Sequence, residues 1–398
     1  MKRFKEKLGF LWKNYKGLVL AAVGAVIFCV MLILKSIPAF CEWWTRTISR
    51  GVVTGMGFLT GWLPFSFYEL FLVAAIITLI VVVVFTVKFI VKKRKKALVR
   101  LFSTVLAVVV LCLDFYFASI SFAYNREAIP LTSYSVTNDG TLSMEEYADF
   151  CRILTEEFNA IAEAVERDEK GHLVNPYSAK ELNELIKTAY KELEEYDGYF
   201  NDVTLNYKPM LFSRIMAEMG LLGVFFAPFG EPNVSQLTHP ADMPSTVAHE
   251  IAHSKGVLRE NEANLTAYYV LLRSDNVYLR YCGMFRVYHN LLGGLPLYGD
   301  AGHEMYIEIA DGLSPLIRED YAHRTQYYGQ YTLLEEISEF FNDLYLKLSG
   351  SSNGTGSYSP TPPSFSQIQG ESGEVEIVIT AYSDVQAMVL AWIMENED

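Results

Sequence analysis

The chain has 398 residues, 51% of them hydrophobic and 20% charged, with a formal net charge of −13, which is enough for one large or two medium domains. Residues 1–120 carry 16 Lys and Arg against Glu6, Glu42, Glu69 and Asp114, a net of +12, which leaves −25 for the remainder. An acidic body of that size repels phosphate backbones and anionic headgroups, so nucleic acid and peripheral lipid docking are excluded for it, and small molecules or proteins remain as partners.

Three segments, about 18–34, 67–91 and 101–122, are predicted to cross a lipid bilayer as helices, because each approaches the roughly 20 apolar residues that a span needs. No small-residue cleavage site follows the first, so a retained anchor is expected rather than a removed signal peptide. Lys2, Arg3, Lys5, Lys7, Lys13 and Lys16 precede the first span, and Lys88, Lys92, Lys93, Arg94, Lys95, Lys96 and Arg100 lie between the second and third. Both basic groups belong on the cytoplasmic side, which predicts a plasma-membrane protein with a cytoplasmic N-terminus and everything after about residue 122 outside the cytoplasm. The loop between the first two spans carries Trp43, Trp44 and Trp62, and reads either as an interfacial or re-entrant hairpin or as a plain connection.

Beyond the membrane the pattern is mainly helical. Ser143 with Glu146 and Ser178 with Glu181 form capping boxes, the first opening a helix striped by Tyr147, Phe150, Leu154, Phe158 and Ile161. Cys151 and Cys282 have a spacing that decides nothing about pairing and read most simply as small buried residues. Residues 223–230 read as an extended edge strand interrupted by Pro228, against which a peptide could lie, with Glu231 and Asn233 at the rim. Helical periodicity returns from about 244 to 347; then 350–373, rich in Ser, Gly and Pro, reads as a flexible linker before a short strand-like run and a brief apolar segment.

The chemistry concentrates at residues 242–256. Asp242 suits an N-cap and Pro244 the first turn of a helix on which His249 and His253, four residues apart, project from one face towards a single ion. Glu250 stands beside the first histidine, where it can take a proton from water, and Gly256 lets the chain turn back. A hydrolytic Zn²⁺ takes three protein ligands, and the following helix offers Glu260 or Glu262. Glu260 shares a face with Ala263, Asn264 and Ala267 whereas Glu262 points about 160° away, so Glu260 is preferred, Glu262 is the alternative, and Asn264 is expected to orient a histidine. An oxyanion donor is also needed; His239, Tyr268, His303, Arg318, Tyr327 and Tyr328 are candidates that sequence does not rank.

His249-Glu250-x-x-His253 followed by Glu260-Asn-Glu-Ala-Asn264 resembles the gluzincin-like zinc peptidases, in which HExxH precedes a helix of the pattern Glu-x-x-Ala-Asp or Glu-x-x-Ala-Asn. The resemblance implies Glu260 as the third ligand and Glu250 as general base, although Glu260 follows His253 by only seven positions, closer than is usual there. The whole layout, three spans and then Pro-Phe-Gly-Glu ahead of these motifs, also resembles a bacterial membrane family catalogued as domain of unknown function 3810. The expected architecture is thus a mainly α membrane protein: a membrane domain at 1–122, an extracytoplasmic α-rich zincin-like domain with a small sheet at 123–349, and a linker and tail at 350–398. The expected activity is zinc-dependent hydrolysis of a peptide or protein; the alternative is a non-catalytic membrane sensor or binding module that keeps the fold.

Overall fold

Apolar length and small residues set the first part of the chain. A computed structural model describes residues 15–127, 129, 142–193, 203–349, 351, 353–360, 363–369 and 375–397; the lysines and Arg3 of the first basic group, apart from Lys16, lie outside them. Three helices, α1 (Lys16–Leu34), α4 (Phe67–Val91) and α5 (Lys95–Ile120), are long and apolar enough to cross a membrane. The last begins six residues before the expected boundary, since Lys and Arg are good helix formers and carry the helix past its apolar stretch. Between α1 and α4 the chain is almost wholly helical: α2 (Pro38–Trp44), a π-helical turn at Thr45–Ser49, and α3 (Arg50–Thr60). Pro38 occupies the first turn of α2, where its missing N–H costs nothing.

The chain divides into two compact units, Met1–Glu127 with Phe226–Glu231, and Ala128–Phe225 with Pro232–Asp398. In the first, α1 and α5 pack at small residues: a Cβ on Gly17 would collide with the Ser103 carbonyl, and one on Gly24 would stand 2.5 Å from the Val110 side chain. Such close approach is how helices associate in lipid. The short segment Phe226–Glu231 belongs to this unit through named contacts. Phe226 lies 4.7 Å from the Tyr68 ring and Phe229 4.9 Å from that of Phe67. Gly230, at φ +61°, leaves no room for a side chain against the Val53 carbonyl.

Glu231 does not form a rim. Its carboxylate accepts the Tyr68 N–H at 3.0 Å, at the N-terminus of α4, and the side chain is buried there. Asn233 is buried as well, donating to the Val224 carbonyl. Polar side chains near a strand edge look solvent-facing in sequence, but backbone groups at a helix end and a strand claim these two.

The second unit is built on α6 (Met144–Ala162), α7 (Ala179–Glu192), β1 (Lys208–Met210), α8 (Ser213–Glu218), β2 (Gly223–Phe226) and β3 (Glu231–Ser235). Then follow α9 (Met243–Ser254), α10 (Glu260–Leu272), α11 (Val277–Leu292), α12 (Asp300–Asp311), α13 (Pro315–Gly329) and α14 (Glu335–Ser349). The sheet order is β1-β3-β2, with β1 parallel to β3 and β2 on an edge. Both capping boxes form as the Ser-x-x-Glu spacing requires. One core joins Tyr147, Leu154 and Phe158 of α6 to Val247 and Ile251 of α9, Ala263 and Ala267 of α10, and Tyr281 and Tyr288 of α11. Cys151 and Cys282 are unpaired and buried in it.

Part of the expected linker, residues 350, 352, 361–362 and 370–373, lies outside the described residues. Gly354–Tyr358 is a 3₁₀ turn, β4 (Ser364–Gln369) pairs antiparallel with β5 (Val375–Ala381), and α15 (Asp384–Glu397) follows. Val385, Val389, Leu390, Trp392 and Ile393 of α15 are buried in the main core, so the C-terminus completes the domain. Its apolar content is too evenly spread around the helix to announce an amphipathic stripe.

Candidate metal centre

α9 is positioned from both ends. Asp242 precedes it, but its side chain makes no capping hydrogen bond. The carboxylate instead receives Arg286 Nη1 at 3.0 Å, Arg324 Nε at 2.6 Å and Tyr328 Oη at 2.9 Å, from α11 and α13. Burial pushes this carboxyl up, yet Arg286 and Arg324 outweigh burial and hold it below its ordinary value. In the middle of α9, Tyr190 of α7, fully buried, donates to the Ala248 carbonyl at 2.7 Å. At the far end Gly256, at φ +90°, turns the chain so that the Val257 carbonyl comes back to His253 Nδ1 at 2.7 Å. A carbonyl only accepts, so Nδ1 carries the proton and Nε2 is left as the free donor atom of the neutral ring.

Three side chains converge. His249, His253 and Glu260 offer ligand atoms that all lie within 4.8 Å of one another and could hold a metal ion. Glu260 Oε2 is 3.2 Å from His249 Nε2 and 3.5 Å from His253 Nε2, but lacks hydrogen-bond geometry to either. The Glu262 carboxylate faces elsewhere, held by Arg259 Nη1 at 2.8 Å. α10 is buried nearly all round, only Asn261 and Asn264 being partly open. This is why its start can press two acids into the interior.

Electrostatics are those of buried, incompletely partnered groups. Burial disfavours the charged form of His249 and so does His253, while Glu260 and Asn264 act the other way. On His253 burial is outweighed by the Glu260 carboxylate, which raises it; Glu260, pushed up by burial, is pulled well down by His253 and His249. Glu250 is 5% exposed, and burial pushes its carboxyl up to about 8. Gly223 of β2 makes room for it: a Cβ there would strike the Glu250 carboxylate. Glu250 Oε2, Glu260 Oε2 and His249 Nδ1 are buried with no hydrogen-bond partner among the described residues. Two imidazole nitrogens and a carboxylate oxygen form a donor set that suits Zn²⁺.

The six candidate oxyanion donors engage other groups. His239 bonds His323 at 3.0 Å, Tyr268 accepts from Arg286, Tyr328 serves Asp242, and Arg318 donates to the Leu313 carbonyl. Tyr327 stacks edge-on with Tyr331, and His303 lies over Tyr306. Two residues that sequence reasoning passed over stand at the site instead. One is Gly223, the other Tyr358, whose carbonyl accepts from Asn264 Nδ2 at 3.0 Å. A lone tyrosine within the Ser-Gly-Pro stretch was the available signal for the second.

A family described as "Protein of unknown function (DUF3810)" matches residues 44–362. The chain belongs to that family. The match runs from the last residue of α2 through α14 to the turn bearing Tyr358, and so covers the segment that carries His249, His253 and Glu260. The comparison with curated proteins found no match, and that with solved structures found none either.

Proposed function

We propose that the protein is a membrane-anchored zinc metallopeptidase that hydrolyses peptide bonds outside the cytoplasm. The observation that carries this reading is the convergence of His249, His253 and Glu260 within 4.8 Å, beside a buried Glu250 whose Oε2 has no hydrogen-bond partner among the described residues. His249 and His253 through Nε2, with Glu260 through Oε2, would hold the ion. Bound Zn²⁺ would polarise a substrate carbonyl and make water acidic enough to lose a proton near neutral pH. Glu250 would then serve as proton carrier, since a buried carboxylate beside the first ligand can both accept a proton from water and return it to a leaving amine. Val257 and Gly256 keep His253 in the tautomer that leaves Nε2 free. Gly223 keeps Glu250 from being displaced, and the edge position of β2 leaves a main-chain row for an extended substrate to pair with.

The orientation rests on charge. Lys88, Lys92–Lys96 and Arg100 flank the turn between α4 and α5 without an acid among them, which favours a cytoplasmic turn. The test is metal content and hydrolysis of full-length protein in detergent, for wild type, His249→Ala and Glu250→Gln. Near-stoichiometric zinc that is lost in His249→Ala, with Glu250→Gln retaining zinc but not cleaving, is expected. Bound zinc with no cleavage by wild type across a peptide library would favour the binding module.

A further inference from the structure

The first unit contains a groove of about 1030 Å³ at the turn that joins α4 to α5. Its wall is built at helical spacing. Val81, Phe85 and Phe89 follow one another every four residues along α4, and Ala97, Leu101 and Thr104 supply the α5 side. The Phe85 and Phe89 rings lie 5.7 Å apart, so the α4 side is a continuous apolar track about 12 Å long.

The next residue in that row is Lys93. With Arg94, Lys95, Lys96 and Arg100 it lines the groove at the turn, and all five are exposed. The stretch from Lys88 to Leu101 holds seven cations and no acid. Helix length sets their depth: the 25 residues of α4 make about 37 Å of helix, against a hydrocarbon core of about 30 Å. A helix that spans such a core puts the turn among lipid headgroups.

Lys93 holds its place at a conformational cost. It is the one non-glycine with positive φ among the described residues, at +50°. There α4 ends in paired hydrogen bonds, Lys93 N–H to the Ile90 carbonyl and Arg94 N–H to the Phe89 carbonyl, each at 2.9 Å. Such a helix stop ordinarily takes glycine. Glycine would relax the backbone but withdraw a charge from the groove.

Charge and shape together select the occupant. A free phosphate uses the cations and leaves the apolar track empty, and a zwitterionic lipid brings its own cation to a site that already has five. The chain's own first residues carry Lys2, Arg3, Lys5, Lys7 and Lys13 against Glu6, so like charge disfavours them as well. We propose that the groove binds an anionic phospholipid, with an acyl chain along Val81, Phe85 and Phe89 and the phosphodiester among the cations of the turn. Arg94 and Arg100 can each engage two phosphate oxygens at once, whereas the lysines act as point charges. Basic pockets between membrane helices recognise lipid headgroups on these terms. The proposal rests on α4 and α5 crossing a bilayer and is independent of the metal centre.

The experiment uses native mass spectrometry to count lipids retained by full-length protein in neutral detergent, with dioleoyl phosphatidylglycerol and dioleoyl phosphatidylcholine as probes. Wild type should hold one phosphatidylglycerol about tenfold or more tighter than phosphatidylcholine. Lys93→Gly combined with Arg100→Gln removes two lining charges while relaxing the turn, and should bring the two lipids to equal affinity. Ala97→Trp fills the groove without changing charge and should weaken phosphatidylglycerol to a similar extent; if the indole unfolds the protein, the paired substitution decides. Lys92→Gln removes a neighbouring charge that does not line the groove and should stay within about twofold of wild type. Equal binding of the two lipids by wild type overturns the proposal. Full retention by a folded Ala97→Trp does so too, as does a loss in Lys92→Gln equal to that in the lining pair, which would make the preference a general surface attraction. Displacement of the lipid by millimolar inorganic phosphate would reassign the groove to soluble anions. Release of the protein from membranes by alkaline carbonate would remove the spanning reading and this proposal together.

Discussion

Two buried carboxylate clusters lie in the second unit and are finished differently. Asp242 is 1% exposed, and both of its oxygens are taken, by Arg286 on one and by Arg324 and Tyr328 on the other. Glu250 and Glu260 are each 5% exposed, and each keeps an oxygen with no hydrogen bond among the described residues. A carboxylate whose oxygens are all hydrogen-bonded holds elements together, whereas one that keeps an oxygen without a hydrogen bond can take a further partner. The first cluster aims α9; the second is what α9 presents.

Breaking the finished cluster should have the largest effect. Asp242→Ala leaves two guanidinium groups without their partner, and removing one member of a buried pair costs about 3–5 kcal/mol. Thermal unfolding in detergent should show a large drop in midpoint, with metal retention lost as α9 loses its footing. If instead Asp242→Ala melts with wild type, the cluster is not what positions the helix. Glu260→Gln should show the opposite profile. It removes a buried charge that faces two imidazoles rather than fixed guanidinium groups, so the metal-free protein should melt closer to wild type than Asp242→Ala does while zinc binding collapses. A metal-free Glu260→Gln that unfolds as readily as Asp242→Ala would erase the distinction between the two clusters.

A smaller effect comes from Gly223→Ala. The added methyl group meets the Glu250 carboxylate, and overpacking of this kind costs about 1–3 kcal/mol unless the side chain swings away. Because Glu250 has an unpartnered oxygen to move, the strain should appear more in hydrolysis than in melting. Cleavage would fall severalfold while zinc content stays at the wild-type level. A drop in melting temperature with unchanged turnover would place Gly223 in the scaffold.

The readable and hidden parts divide along physical lines. The three helices long and apolar enough to cross a membrane were legible because about 20 apolar residues have few other uses, and the histidine pair because its four-residue spacing is a helical repeat. The preference for Glu260 over Glu262 followed from the same period, and the structure sets Glu260 facing both histidines and Glu262 facing Arg259. Partners brought together across long separations were not legible. Nothing local in the sequence tells that Asp242 meets Arg286 and Arg324 rather than capping its own helix, or that Tyr358 returns to Asn264 across 94 residues. Nor did composition announce the 3₁₀ turn Gly354–Tyr358, because a turn that needs Gly354 at positive φ looks like a linker.

The mildest test uses pH and a third buried group. His239 is fully buried, with His323 at 3.0 Å on its Nε2 and Ala241 N–H donating to its Nδ1. Burial lowers its pKa to about 4, opposed by Asp242 and Asp320 and assisted by His323 and Arg324. In the unfolded chain an imidazole titrates near about 6.5. Between these values the unfolded chain binds a proton that the folded one refuses, so stability falls as pH falls from about 6.5 towards 4 and is fully present above 6.5. Asp242 has the same sign in a lower window: its folded pKa is depressed, so its contribution is lost only as pH falls through the carboxylate range. Melting of wild type and His239→Gln in detergent at pH 7.5, 6.5, 5.5 and 4.5 therefore separates them. The variant should start somewhat lower at pH 7.5 and lose less than wild type on the way to pH 4.5. Parallel curves would mean that His239 protonates freely in the fold and that the paired carboxylate alone governs acid sensitivity.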